Sequence, residues 1–172
     1  MSQYYAHTLP GRPEAEWQDL IEHLEAVASR AGDSADRFDS GTWAHLAGLW
    51  HDLGKYSKAF QDYLRTTSSP DPHIADSATR TDHSTAGAKH AVASIPVLGH
   101  LLAYPIAGHH SGLLDGHSEG ACLYARLRKD VEWDSAPPSV CTPATLVLPD
   151  FIQDALGRKD AFSVAFFVRM IF

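Results

Sequence analysis

The constraint that bears hardest on this chain is a carboxylate placed where a core should be. Asp52 closes the run Leu46-Ala47-Gly48-Leu49-Trp50-His51-Asp52, and Trp43, Leu46, Ala47, Leu49 and Trp50 share the inward side of a helix. Taking an unpaired carboxylate out of water is costly, so a fold excludes it unless something compensates its charge. A metal ion is the simplest compensation. The chain also carries four islands of histidine: His7, His51 beside Asp52, His83, and the doublet His109-His110. Imidazole nitrogen and carboxylate oxygen are the ligands that hold divalent transition metals. If the islands converge, one bridging Asp among five imidazoles is enough for two adjacent metal ions.

With 172 residues, 44% hydrophobic and 20% charged, the chain is sized and composed for one globular domain over residues 1–172. Pro13 to Arg30 puts Trp17, Leu20, Ile21, Leu24, Val27 and Ala28 on one helical stripe. Ser40 or Thr42 can cap the helix that delivers His51-Asp52. Gly54 closes it, and Ser57 opens another through Phe60, Tyr63 and Leu64. Thr66 to Asp82 is rich in Ser, Thr, Pro and Asp and reads as an exposed loop. Further helices are expected over His83–Ala93, from Pro96 to about His110, from a Ser118 cap through Lys129, and over Asp150–Leu156. A last, buried one is expected over Ala161–Phe172. Asp130 to Pro149 holds four prolines and reads as a long surface connection. With no alternating strand pattern and no internal repeat, the fold class is all-α.

Bulk properties narrow the setting. Cys122 and Cys141 lack metal-type spacing and offer no disulfide framework, which suits a reducing cytoplasm. No signal peptide is evident, and no apolar stretch is long enough for a membrane partner. The net charge of −7 argues against a domain that grips nucleic acid unaided, because phosphate neutralisation drives that affinity. Bound divalent ions would supply positive charge where a phosphate must sit.

Taken singly, the histidine motifs are weak, since about one His-Asp dipeptide arises by chance in a chain of this composition. Placement is what gives them weight. His109-His110 end the apolar helix Leu101 to Gly108, and adjacent side chains on a helix diverge by about 100°. Both can reach one metal only near a helix end, where Gly108 and Gly112 give the backbone freedom. Asp82 precedes His83 and could orient its imidazole. His23, His45, His73, His90, His100 and His117 read as structural or solvated, with His90 the nearest rival because it lies seven residues after His83. Lys55 is either a plain surface lysine or a positive charge leaning toward a phosphate. Arg126, Arg128 and Lys129 read as a solvated helix face.

Four stretches carry a resemblance: Tyr5-Ala6-His7-Thr8-Leu9-Pro10-Gly11-Arg12, Leu46 through His51-Asp52-Leu53-Gly54-Lys55-Tyr56, Asp82-His83-Ser84-Thr85-Ala86-Gly87-Ala88, and Ala107-Gly108-His109-His110-Ser111-Gly112-Leu113. With their flanks and order they resemble the HD-type nuclease domain of the CRISPR-associated helicase–nuclease of type I systems, across nearly the whole chain. The resemblance implies an HD-superfamily helical domain with its metal site between helix ends. It implies cleavage of single-stranded DNA by metal-activated water in antiviral defence, with one or two divalent ions. Mn, Fe, Co, Ni or Zn suit the histidine-heavy shell better than Mg. Carried over by position, His51 and Asp52 hold the first metal with help from His7. Asp52 bridges to a second, which His83, His109 and His110 complete; Asp52, His51 and Lys55 are the expected catalytic residues. Its partners would be a helicase domain or subunit and an RNA-guided, Cascade-type surveillance complex.

Two departures matter. No helicase is present, which fits a separate nuclease subunit or an excised domain. The family also has a metal-binding Asp shortly after a helix like Phe162–Phe172, and this chain ends before one. The first site is therefore expected to be a ligand short, and the His83, His109 and His110 site the better formed. Two other readings stand beside the nuclease: an HD-superfamily nucleotide phosphohydrolase or cyclic-dinucleotide phosphodiesterase, and an inactive truncated metal-binding docking module.

Overall fold

A computed structural model of the chain describes residues 3–69, 81–118 and 122–172. Among them the fold is mostly helical. The helices are α1 Leu20–Ala35, α2 Gly41–Trp50, α3 Lys58–Thr67, α4 Ser84–Ser94, α5 Gly99–Gly108, α6 Leu123–Leu127, α7 Pro138–Cys141, α8 Asp150–Gly157 and α9 Ala161–Met170. An antiparallel ladder joins β1 (Tyr5–His7) to β2 (Gln18–Asp19), pairing Tyr5 with Asp19 and His7 with Gln18. Sequence reading expected no strand; this pair is too short to leave an alternating pattern.

Helix α2 is the centre of the domain. It packs on α1, α4 and α5, and Trp43, Leu46, Ala47, Leu49 and Trp50 are all buried. Full burial of an aliphatic side chain the size of Leu46 or Leu49 stabilises by roughly 1.5–3 kcal/mol. Leu20, Leu24, Ala28, Gly32 and Ala35 form the buried stripe of α1. That helix starts at Leu20 rather than near Pro13, because the Asp19 carboxylate accepts the backbone N–H groups of Ile21 and Glu22 at 2.9 and 3.4 Å. Trp17 lies outside it and packs edge-on against Tyr5.

The stretch Asp130–Pro149 is not simply a surface connection. Trp50 Nε1 donates to the Val140 carbonyl and Trp43 Nε1 to that of Val147, each at 2.8 Å, and Val140 is buried. The tryptophans of α2 thus tie this segment over the core, satisfying two indole N–H groups that burial would otherwise strand. The expected buried C-terminal helix is also corrected. Phe167 and Val168 of α9 are buried, with Phe167 edge-on to Trp43, but Phe162 and Phe166 are exposed. Helix α6 begins at Leu123, where the Cys122 Sγ accepts the Ala125 N–H. Most of the expected loop Thr66–Asp82 lies outside the described residues. Cys122 and Cys141 are unpaired, and among the described residues no helix is long and apolar enough to cross a membrane.

Candidate metal centre

The ends of several elements meet at one place. The C-terminus of α2 brings His51 and Asp52, and the 3-10 turn Leu53–Tyr56 brings Lys55. His83 stands at the N-terminus of α4, His109 and His110 follow α5, His7 ends β1, and His23 lies one turn into α1. Two glycines make this geometry possible. Gly54 N donates to the His83 carbonyl at 3.2 Å, and a Cβ on Gly54 would overlap that same oxygen. Only glycine lets the turn after Asp52 lie flat against the backbone of His83. Gly112 takes φ +81, the left-handed turn that ends the α5 corner just after the histidine doublet.

The Asp52 side chain is 3% exposed and sits at the middle of the cluster. Its Oδ1 lies 3.4 Å from His83 Nε2 and 3.3 Å from His109 Nε2. Its Oδ2 lies 3.1 Å from His51 Nε2, 3.4 Å from His23 Nε2 and 2.7 Å from Lys55 Nζ. His110 Nε2 faces His83 Nε2 at 2.8 Å. Asp52, His83, His109 and His110 can offer ligand atoms that all lie within 4.8 Å of one another, and so can His7, His23 and Asp52.

Tautomers follow from the backbone. A carbonyl can only accept, so His51 Nδ1 donates to Gly48 O at 2.6 Å and His109 Nδ1 to Ile106 O at 2.8 Å. In the neutral rings the Nε2 lone pairs are then left pointing at the Asp52 carboxylate. Asp52 Oδ1 and His109 Nε2 are buried, and neither has a hydrogen bond among the described residues. Lone pairs aimed at a buried anion repel it, and a cation between them reverses the sign. The donor set therefore fits a metal ion, with backbone carbonyls orienting the rings from behind.

Electrostatics agree with this placement. Burial would raise the Asp52 carboxyl, but its surroundings, the Lys55 ammonium at 2.7 Å among them, outweigh it and hold the group below the usual range. Burial, reinforced by Lys55, His109 and His110, lowers His83 to about 4 against the opposing pull of Asp52. Burial and the nearby Lys55 lower His7 in the same direction. His83 and His7 are thereby kept neutral near pH 7, the state in which imidazole binds metal.

The structure brings together His7, His51, Asp52, His83, His109 and His110, and adds His23, which sequence reading left among structural histidines. A signal for it existed: His23 falls at i+3 from Leu20 and beside Leu24, on the buried stripe of α1. Lys55 is no surface lysine. It is 3% exposed, and its Nζ also donates to the Ala6 carbonyl at 3.0 Å. Buried Gln61 completes this corner, bonding Tyr5 N at 3.1 Å, Tyr5 O at 2.9 Å and Lys55 O at 2.8 Å, so that it fixes the strand carrying His7. Asp82 does not orient His83, whose Nδ1 faces Thr81 O at 3.3 Å. Its carboxylate instead takes the Thr85 N–H and hydroxyl and the Lys129 ammonium. Burial raises the Asp82 carboxyl, but the bonds from Lys129 and Thr85 prevail and hold it at about 2. Arg126 is not merely a solvated face: it is half-buried and donates to Ser84 Oγ and Ala107 O, each at 2.9 Å. His90 packs edge-on against Trp50 and faces the Cys141 carbonyl, away from the cluster. His45, His100 and His117 are exposed and outside it, and His73 lies outside the described residues.

Compared with known proteins, the chain matches no family model and no curated sequence.

Proposed function

We propose that this chain is a metal-dependent phosphodiesterase of the HD nuclease kind, acting on single-stranded DNA. One observation carries the reading: a single buried carboxylate turns one oxygen toward His83 and His109 and the other toward His51 and His23. That is the layout of a bridging ligand shared by two metal positions. Transition ions held there would supply Lewis acidity and acidify water, the two requirements of phosphodiester hydrolysis.

The protein's own groups divide the work. Asp52 would offer one oxygen to each ion, His83, His109 and His110 would complete one position, and His51, His23 and rim-lying His7 would surround the other. Lys55 already neutralises Oδ2, so a cation there competes with an ammonium, whereas Oδ1 faces only imidazoles. The position on Oδ1 is therefore the stronger one. The nitrogen-rich shell favours Mn, Fe, Co, Ni or Zn over Mg. With a net charge of −7, the domain depends on delivery of its strand. On this reading the delivery falls to a helicase domain or subunit and an RNA-guided, Cascade-type surveillance complex.

The test compares cleavage of a single-stranded oligonucleotide with turnover of nucleotides and cyclic dinucleotides under Mn or Ni, with Asp52→Ala as control. The expected result is metal-dependent strand cleavage that Asp52→Ala abolishes. Preferential turnover of the small substrates would instead mark a nucleotide phosphohydrolase or cyclic-dinucleotide phosphodiesterase. Bound metal with no turnover of any substrate would mark a docking module.

A further inference from the structure

Helix α6 is a local exception to the acidity of the chain. Residues 122–129 carry Arg126, Arg128 and Lys129 and no carboxylate, in a protein of net charge −7. The helix packs on α4 and α5, the two helices whose ends hold His83 and His109-His110. Arg126 makes the join. Its guanidinium donates to Ser84 Oγ at 2.9 Å, next to His83, and lies 3.4 Å from Ser111 Oγ, next to His110. Among the described residues it is held by hydroxyls and the Ala107 carbonyl and pairs with no carboxylate, so no described anion offsets its charge beside the cluster.

Two residues before Arg126, exposed Tyr124 lies under the Arg128 guanidinium, 4.2 Å from ring centroid to Cζ, and its hydroxyl accepts from Arg128 at 2.7 Å. A His117 ring stands 5.2 Å from the Tyr124 ring. An aromatic ring held beside a cation, on the same short helix as a second cation that reaches the residues next to His83 and His110, is what a single strand needs. Bases stack on the ring while phosphates follow the charges. Mononucleotides have no use for a second platform beyond the site.

We propose that Tyr124 and Arg128 form a strand-holding platform, from which Arg126 leads the phosphate backbone of single-stranded nucleic acid to exposed His110. This rests on the phosphodiesterase reading and deepens it, by making the substrate a polymer whose flanking nucleotides are bound outside the metal cluster. Tyr124, Arg128 and Arg126 are positioning residues.

The experiment is binding of fluorescent oligothymidylate, measured by anisotropy in EDTA from low salt upward, so that even the weak contact of an undelivered strand is read, and without cleavage. Tyr124→Ala and Arg128→Ala are each expected to weaken binding at least fivefold. Arg128→Ala should also flatten the slope of log affinity against log salt by about 0.7, the share of one phosphate contact on a single strand. Thermal melting and metal content of both variants stay at wild-type values, and Tyr124→Phe restores binding. Exposed Arg30→Ala, which removes the same charge from α1, leaves binding unchanged. Inorganic polyphosphate distinguishes charge from stacking, because its binding ought to respond to Arg128→Ala and not to Tyr124→Ala.

Wild-type protein that fails to bind the oligonucleotide overturns the proposal. So do variants that bind like wild type, or an Arg30→Ala loss as large as that of Arg128→Ala. Strand cleavage with an unimpaired Tyr124→Ala variant refutes the platform alone. Intact strand binding without metal-dependent hydrolysis refutes the phosphodiesterase reading alone.

Discussion

Replacing Asp52 by Asn keeps the shape of the side chain and removes the charge on which the cluster is centred. In the metal-free protein the first consequence falls on Lys55. Its ammonium lies 2.7 Å from Asp52 Oδ2 and both side chains are 3% exposed. At an effective dielectric of about 20, that separation corresponds to about 6 kcal/mol of attraction. Desolvation offsets part of it, and removing one member of a buried pair typically costs about 3–5 kcal/mol. One effect bounds the loss from above: the Asn side chain relieves the repulsion between the carboxylate and the lone pairs of His109 and His51. A loss of about 3 kcal/mol is therefore expected for Asp52→Asn, a large share of the roughly 5–15 kcal/mol that holds a domain together.

Urea unfolding in EDTA, followed by the fluorescence of the four tryptophans, measures this directly. Combining Asp52→Asn with Lys55→Met removes the uncompensated charge, so the double variant should recover at least about 2 kcal/mol relative to additivity. Adding Mn at about a hundredfold excess over its dissociation constant should stabilise the wild type by about 2.7 kcal/mol and leave Asp52→Asn unmoved. A loss below about 1 kcal/mol, additive single variants, or equal stabilisation of both proteins by Mn would refute the picture of a buried carboxylate shared by lysine and metal.

Three further outcomes are expected. In EDTA, stability should rise with pH between about 4 and 6.5: folded His83 takes a proton only near 4, the unfolded chain takes it at 6.5, and so the unfolded state binds more protons in that window. The span corresponds to about 3 kcal/mol from His83, His7 and His110 shift in the same direction, and Asp52 stays ionised throughout; urea midpoints at pH 4.5 and 7 that run the other way would contradict it. His23→Ala should lower the bound metal per chain, measured by elemental analysis after dialysis, while exposed His45→Ala leaves it unchanged; equal stoichiometry in both would remove His23 from the centre. Gly54→Ala should drive the turn off the His83 backbone and reduce metal affinity at least tenfold in titration calorimetry, and wild-type affinity would show that the contact is not needed.

Much of this protein was legible in its residues because local rules act over a few positions. The stripe Leu20-Leu24-Ala28, the apolar run before His51, the Ser57 cap of α3 and the Gly112 stop each follow from side chains that are near one another in the chain. The candidate ligands His51, Asp52, His83, His109 and His110 stood out for the same reason, as polar groups at the ends of apolar helices. What needed the third dimension was everything that depends on which end meets which. His23 looks like any helix-face histidine until α1 packs on α2 and turns it toward Asp52. Lys55 reads equally as a surface residue or as a charge leaning toward a phosphate until β1 closes over it. Arg126 becomes part of the site only because α6 docks across the ends of α4 and α5. Helical periodicity is a property of neighbours in sequence, whereas the partner of a buried charge is chosen by packing between distant segments, and it is the folded arrangement alone that fixes that choice.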